Sequence, residues 1–241
     1  MQFMGQRLVN IFLWLILVSG LVLALTLITK NPAFKVRAVS GPISAPISAP
    51  ITPSPTPSPT PVPSPATITT QINFGKDDVN EDGTNYTPVS STVFLGTGAT
   101  VGGGYTGLRF NNVGIPSGAT ITSAHLEVVP PSDTWIQLKF DIYSEASGSS
   151  APFLSANRPS QRNLTTAKVS HASDVFWPGG SVVSLNEMKN VIQEVVSRPD
   201  WQQGNSLSVI LKGTGGLWSR KFVNSFEASP SSAPKLVVTY Q

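Results

Sequence analysis

Residues 107–128 read GLRFNNVGIPSGATITSAHLEV. Leu108 and Phe110 flank Arg109 in its first part, and Ala124, Leu126 and Val128 alternate with Ser123, His125 and Glu127 in its second. A period of two residues is that of a strand with one face in a core and one in water. Pro116-Ser117-Gly118 between the two halves is a turn signal. Working outward, the same pattern predicts strands over Ile68–Phe74, Ser91–Leu95, Thr106–Phe110, Thr120–Val129, Trp135–Tyr143, Ser206–Lys212, Lys221–Phe226 and Lys235–Tyr240. Asp82-Gly83, Gly102-Gly103-Gly104, Pro130-Pro131 and Gly213–Gly216 punctuate them. Short strands between Gly/Pro turns define a mainly β fold, here a single jelly-roll-like antiparallel β-sandwich.

One short α-helix interrupts the strands. Ser184 and Glu187 have capping-box spacing, and Met188, Val191, Ile192, Val195 and Val196 follow at helical spacing. Arg198-Pro199 ends it, because the residue before proline avoids the α region. The apolar stripe reads as a seal on the sandwich core.

The N-terminal quarter has a different character. Leu8 to Thr29 is LVNIFLWLILVSGLVLALTLIT, without a charge. As a helix it would extend roughly 33 Å, enough for a hydrocarbon core of about 30 Å. It is longer than a signal-peptide core and ends in Thr26-Leu27-Ile28-Thr29-Lys30, with no small-residue cleavage site, so the expectation is a retained anchor. Residues 39–66, VSGPISAPISAPITPSPTPSPTPVPSPA, hold ten of the 21 prolines. Proline fixes φ and removes a donor, so the reading is a polyproline II stalk of up to roughly 87 Å. The expected organisation is an anchor over 1–38 with a transmembrane helix over 8–29, a stalk over 39–66 and a domain over 67–241. Lys30, Lys35 and Arg37 follow the apolar run, and a count of positive charges alone would leave that side cytoplasmic. The stalk argues the other way, for an extracytoplasmic domain at the cell surface, and we adopt that orientation.

Charge excludes one class of partner. The formal net charge is +3, but Arg7, Lys30, Lys35 and Arg37 flank the apolar run. Without these four the 16 basic residues number one fewer than the 13 acidic ones. A near-neutral domain does not gather phosphate backbones, so nucleic acid is not an expected partner. The absence of cysteine removes thiol chemistry and Cys-ligated zinc. Gly102–Gly107 fits G-x-G-x-x-G, yet a strand follows where a dinucleotide fold places a helix, so no nucleotide cofactor is expected. His125 and His171 are the only imidazoles, and neither has a nucleophile elbow or metal-ligand spacing beside it. The expectation is a binding protein and not an enzyme.

The stretch 107–128 resembles the hallmark of DNRLRE-type β-sandwich domains, which are related to a carbohydrate-binding module family. The resemblance continues through VIQEVVSRPDWQQGN (191–205), RKFVNSFE (220–227) and APKLVVTY (233–240), and is loose between the 150s and Trp177. It implies an extracellular sandwich module with a capacity for sugars, and related modules carry a calcium ion.

Two sets of residues follow as candidates. Asp78, Asn80 and Asp82 stand at alternate positions before Gly83, the D-x-N-x-D-G opening of a cation loop, with Asp77 beside them. Val89 occupies the twelfth position where an EF-hand needs glutamate, so that motif is excluded. A sandwich-type Ca²⁺ site drawing on Glu227 and a solvated acidic turn are the two readings left. Trp135, Trp177 and Trp218 are the candidates for stacking on sugar rings, against packing in the core, and Trp201 after the helix reads as core. Function then divides between a carbohydrate-binding or adhesive surface module and a structural or assembly protein whose sandwich binds another surface protein.

Overall fold

In strand β6 (Ile121–Val128) the alternation seen in sequence becomes geometry: Ala124, Leu126 and Val128 are buried, and the residues between them are not. The computed structural model describes residues 64–241. Eleven further strands surround β6. They are β1 (Ala66–Gln71), β2 (Asp78–Asp82), β3 (Asn85–Thr87), β4 (Thr92–Gly96), β5 (Gly104–Phe110), β7 (Leu138–Ser144), β8 (Val169–Ser173), β9 (Val183–Ser184), β10 (Leu207–Gly213), β11 (Arg220–Asn224) and β12 (Lys235–Tyr240). One sheet runs β1-β12-β6-β9, a second β3-β2-β5-β10-β7-β8, and β11 pairs with β4 as a two-stranded ribbon. Every pairing is antiparallel.

One core joins the layers. Leu126 and Leu236 come from the first sheet, Phe110, Phe140 and Val209 from the second, and Leu95 and Val223 from the ribbon. Two antiparallel sheets closing on a shared core have the layering of a β-sandwich. The helix α1 (Lys189–Val196) adds Val191, Ile192, Val195 and Val196, all buried. Burying each such side chain is worth about 1.5–3 kcal/mol on the transfer scale, which is why a two-turn helix persists here. Gln193 fastens it by accepting the Ile121 N–H (2.7 Å) and donating to the Ala119 carbonyl (3.1 Å).

The helix start differs from expectation. Ser184 belongs to β9, and the N-cap is Met188, without a side-chain cap. Glu187 instead accepts from the Ala124 and Lys189 amides (2.7 and 2.8 Å) and from Ser123 Oγ (2.6 Å), so it links β6 to the helix entry. These three donors hold its carboxyl below the ordinary range in spite of partial burial.

A smaller core lies apart from the main one, where Val79, Ile210 and Phe153 pack together. A side chain at Gly107 would meet the Phe153 ring, so the bare backbone of β5 there admits the aromatic. Among the described residues no helix is long and apolar enough to cross a membrane. The expected anchor over 8–29 and the stalk up to residue 63 lie outside the described residues.

Candidate functional site

The turn from β10 to β11 carries Trp218, and its backbone is fixed from three sides. Thr214 and Gly215 amides donate to the Lys139 carbonyl (2.9 and 3.2 Å), the Trp218 amide to Gly98 (2.9 Å), and Ser219 Oγ to the Gln137 carbonyl (2.7 Å). Trp218 has φ +61° and is 55 % exposed. The left-handed region costs an L-residue roughly 1–2 kcal/mol, and a bulky aromatic rarely occupies it without a reason.

Beyond this turn, β11 alternates. Lys221 and Val223 are buried, whereas Arg220 and Phe222 remain accessible. The Arg220 guanidinium lies 4.7 Å from the Trp218 ring, 5.0 Å from Phe222 and 5.0 Å from Phe94, which pairs with Phe222 across the ribbon. Cation–π attraction of about 0.5–1 kcal/mol per exposed contact turns these side chains into one stiff, flat-faced ladder. Two depressions adjoin it. One of about 410 Å³ is lined by Gln137, Lys139, Ser173, Asp174, Gly215 and Ser219. The other, about 280 Å³, is lined by Asn85, Thr87, Ser90, Thr92, Arg220 and Phe222 among others.

The three expected tryptophans divide. Trp135 is 72 % exposed and stacks one face on Phe176 at 4.2 Å, leaving the other face open. The Gln137–Ser219 bond links its loop to that of Trp218, and both bonded residues line the first depression. Trp177 does not join them. It is 3 % exposed, donates from Nε1 to Ser173 Oγ (3.0 Å), and has the Lys221 ammonium 4.6 Å from its ring centre. Trp177 is therefore a core residue, because its backbone pairs with Thr134 and turns the ring inward (3.0 Å for each bond). Trp201 is core as expected, with Nε1 donating to Ile115. Arg220, Phe222 and Phe176 were absent from the sequence-based set. The alternation within Arg220-Lys-Phe-Val-Asn224 already separated the outward pair from the inward one.

The acidic motif forms no loop: Asp78 to Asp82 is strand β2, paired on both sides with β3 and β5. Alternate residues along a strand are about 6.6 Å apart, whereas oxygens bound to one Ca²⁺ must each come within about 2.3–2.6 Å of it. Asn80 accepts the Phe94 N–H (2.7 Å) and donates to the Phe94 carbonyl (3.0 Å), pinning β2 to β4. Asp82 accepts the Ala99 and Thr100 amides (2.7 and 3.0 Å) and caps the 97–103 turn. Asp77 pairs with Arg109 (3.0 Å) and accepts from Asn111 (2.5 Å). Three of the five expected ligands are thus committed to internal donors, and the set does not converge. Among the described residues no group of three acidic or histidine side chains surrounds a common point.

Asp78 and Glu227 are nevertheless neighbours. Asp78 is 1 % exposed; Oδ2 accepts the Phe226 N–H at 2.7 Å and Oδ1 has no partner. Burial, then the charges of Glu227 and Asp77, push its carboxyl up to about 7 against the pull of the Phe226 amide. Near neutrality Asp78 therefore holds a proton much of the time. The two histidines lie apart. His125 faces Glu127 at 3.7 Å, and His171 is buried against Phe140.

A scan against family models matched none to this chain, and a search of curated proteins found no significant relative.

Proposed function

We propose that the chain is a membrane-anchored, cell-surface binding module whose jelly-roll-like sandwich takes carbohydrate on the Trp135–Trp218 surface. The observation that carries this is Trp218: a large aromatic, half exposed, held in the left-handed region and stiffened by Arg220, with its neighbours Ser219 and Arg220 each lining one of the two depressions. Sugar rings offer flat C–H faces to aromatic platforms and hydroxyls to Asn, Gln, Ser and Asp side chains, and both kinds of partner adjoin here. The resemblance of residues 107–128 to DNRLRE-type modules points the same way, and the uncharged run 8–29 supplies the anchor in this reading.

The test is a glycan-array screen of the full chain beside Trp218→Gly. Glycine relieves the left-handed strain, so the melting temperature should move by only a few degrees. Affinity for any glycan captured by the parent should fall tenfold or more, since stacking aromatics dominate such sites. If both proteins capture the same glycans equally well, the surface assigned here is wrong. Capture of none by either would favour a protein partner.

A further inference from the structure

Lys221 is fully buried, and its position in β11 sets it between two residues of the ladder, Arg220 and Phe222. Its ammonium has three protons to donate, and one acceptor meets it, the Val175 carbonyl at 2.5 Å. Beside it lies the Trp177 ring, 4.6 Å away, and beyond that His171, stacked on Phe140 at 4.9 Å. His171 accepts the Asn186 N–H on Nδ1 (3.3 Å), and its Nε2 is buried without a partner. Burial pulls the Lys221 amine below its ordinary range and the nearby Asp174 only partly restores it; burial and then Lys221 lower His171 likewise. A charge in such a place weakens the fold relative to an apolar side chain of the same length.

What the ammonium holds is the segment 174–178. Asp174 lines the larger depression, Phe176 supports Trp135, and Trp177 pairs with Thr134. Its link to β11, and so to the ladder, is the Lys221–Val175 bond. We propose that Lys221 is a positioning residue of the binding surface, retained in the core because it ties the 174–178 segment to the strand that bears Arg220 and Phe222. This rests on the carbohydrate reading for its purpose, though not for its mechanics.

The experiment uses the full chain with Lys221→Met and Lys221→Gln, measuring melting temperature, amide hydrogen exchange and affinity for a glycan captured by the parent. Methionine fills the space without charge or donor. Its melting temperature should equal or exceed the parent's, while exchange over 174–178 quickens and affinity drops, each by about tenfold or more. Glutamine restores a donor for Val175 and should keep both within about threefold of the parent. This opposition between stability and binding is what a merely structural lysine would not produce. Failure of Lys221→Met to fold, or a lowered melting temperature with unchanged exchange over 174–178, overturns the proposal. A glutamine variant as impaired as the methionine one also overturns it. If the parent captures no glycan yet exchange still quickens in Lys221→Met, the positioning role stands and the carbohydrate reading falls.

Discussion

Replacing Arg162 by alanine is expected to destabilise the domain by about 3–5 kcal/mol, the range for breaking a buried ion pair from one side. Arg162 Nη1 reaches both oxygens of Glu145 at 2.9 Å, and Nη2 donates to the Ala151 and Pro152 carbonyls at 3.0 and 2.9 Å. The guanidinium also covers the Phe153 ring at 4.8 Å. Alanine would strand a carboxylate and two carbonyls with little access to water, and would uncover the aromatic that fills the smaller core. Lysine should rescue little, since a point charge cannot reproduce the fork. Urea unfolding of residues 64–241 reads the difference. A loss under about 1 kcal/mol would mean the pair contributes nothing beyond a surface contact. Pairing Arg162→Met with Glu145→Gln should recover much of the deficit, because the isolated charge is then gone.

The second large effect is a dependence of stability on pH that runs against the usual carboxylate trend. Asp78 titrates near 7 in the folded chain and near 3.8 when unfolded. Between these values the folded form binds more protons, so stability is greatest below about pH 4 and declines as pH rises towards 7. A shift of this size corresponds to a few kcal/mol, at about 1.4 kcal/mol per unit. His171 acts with the opposite sign: its lowered value means stability lost as pH falls below its ordinary range. The comparison must therefore be made against Asp78→Asn, which keeps an acceptor for Phe226 and carries no charge. The difference in unfolding free energy between parent and variant should widen in the variant's favour from pH 4 to 8. Equal slopes would show Asp78 ionised throughout. The same titration with millimolar calcium separates proton from cation. If calcium abolishes the parent's decline and leaves Asp78→Asn unmoved, the Asp78–Glu227 pair holds a metal.

The strands best read from sequence were those with one apolar face. β6 and β12 lie within one residue of their expected bounds, because alternation reports a single wet face, whereas β5 and β10, buried along most of both faces, were delimited by the glycine turns beside them. β2 was read as a cation loop or a solvated acidic turn. Asp78, Asn80 and Glu81 are all buried there, but their burial is made possible by donors far along the chain: Phe226, Phe94 and Ser160. No local window contains those partners. The segment between β7 and β8 was illegible for a similar reason, since its order comes from Arg162 and Glu145 and not from a periodic apolar face. The tryptophans show the same limit. Trp135, Trp177 and Trp218 all lie outside the named strands, and a tertiary neighbour, Lys221, marks Trp177 as interior. Lys221 itself was detectable, being in phase with the core residue Val223 on a strand otherwise read correctly.

The pairing of β1 with β12 has a mechanical meaning. Ala66 lies opposite Tyr240 and Gln71 opposite Lys235, so the chain enters the domain along an edge strand laid against the last one. Tyr240 is paired with Ile121 at the start of β6, whereas the loop bearing Trp135 leaves the far end of β6, after Val128. A pull entering at Ala66 and resisted by a ligand on that loop is thus directed along β1. Its rungs are loaded together, in shear, and do not open one after another as they would if peeled from Gln71. A domain strung this way resists tugging in that direction and yields readily in the other.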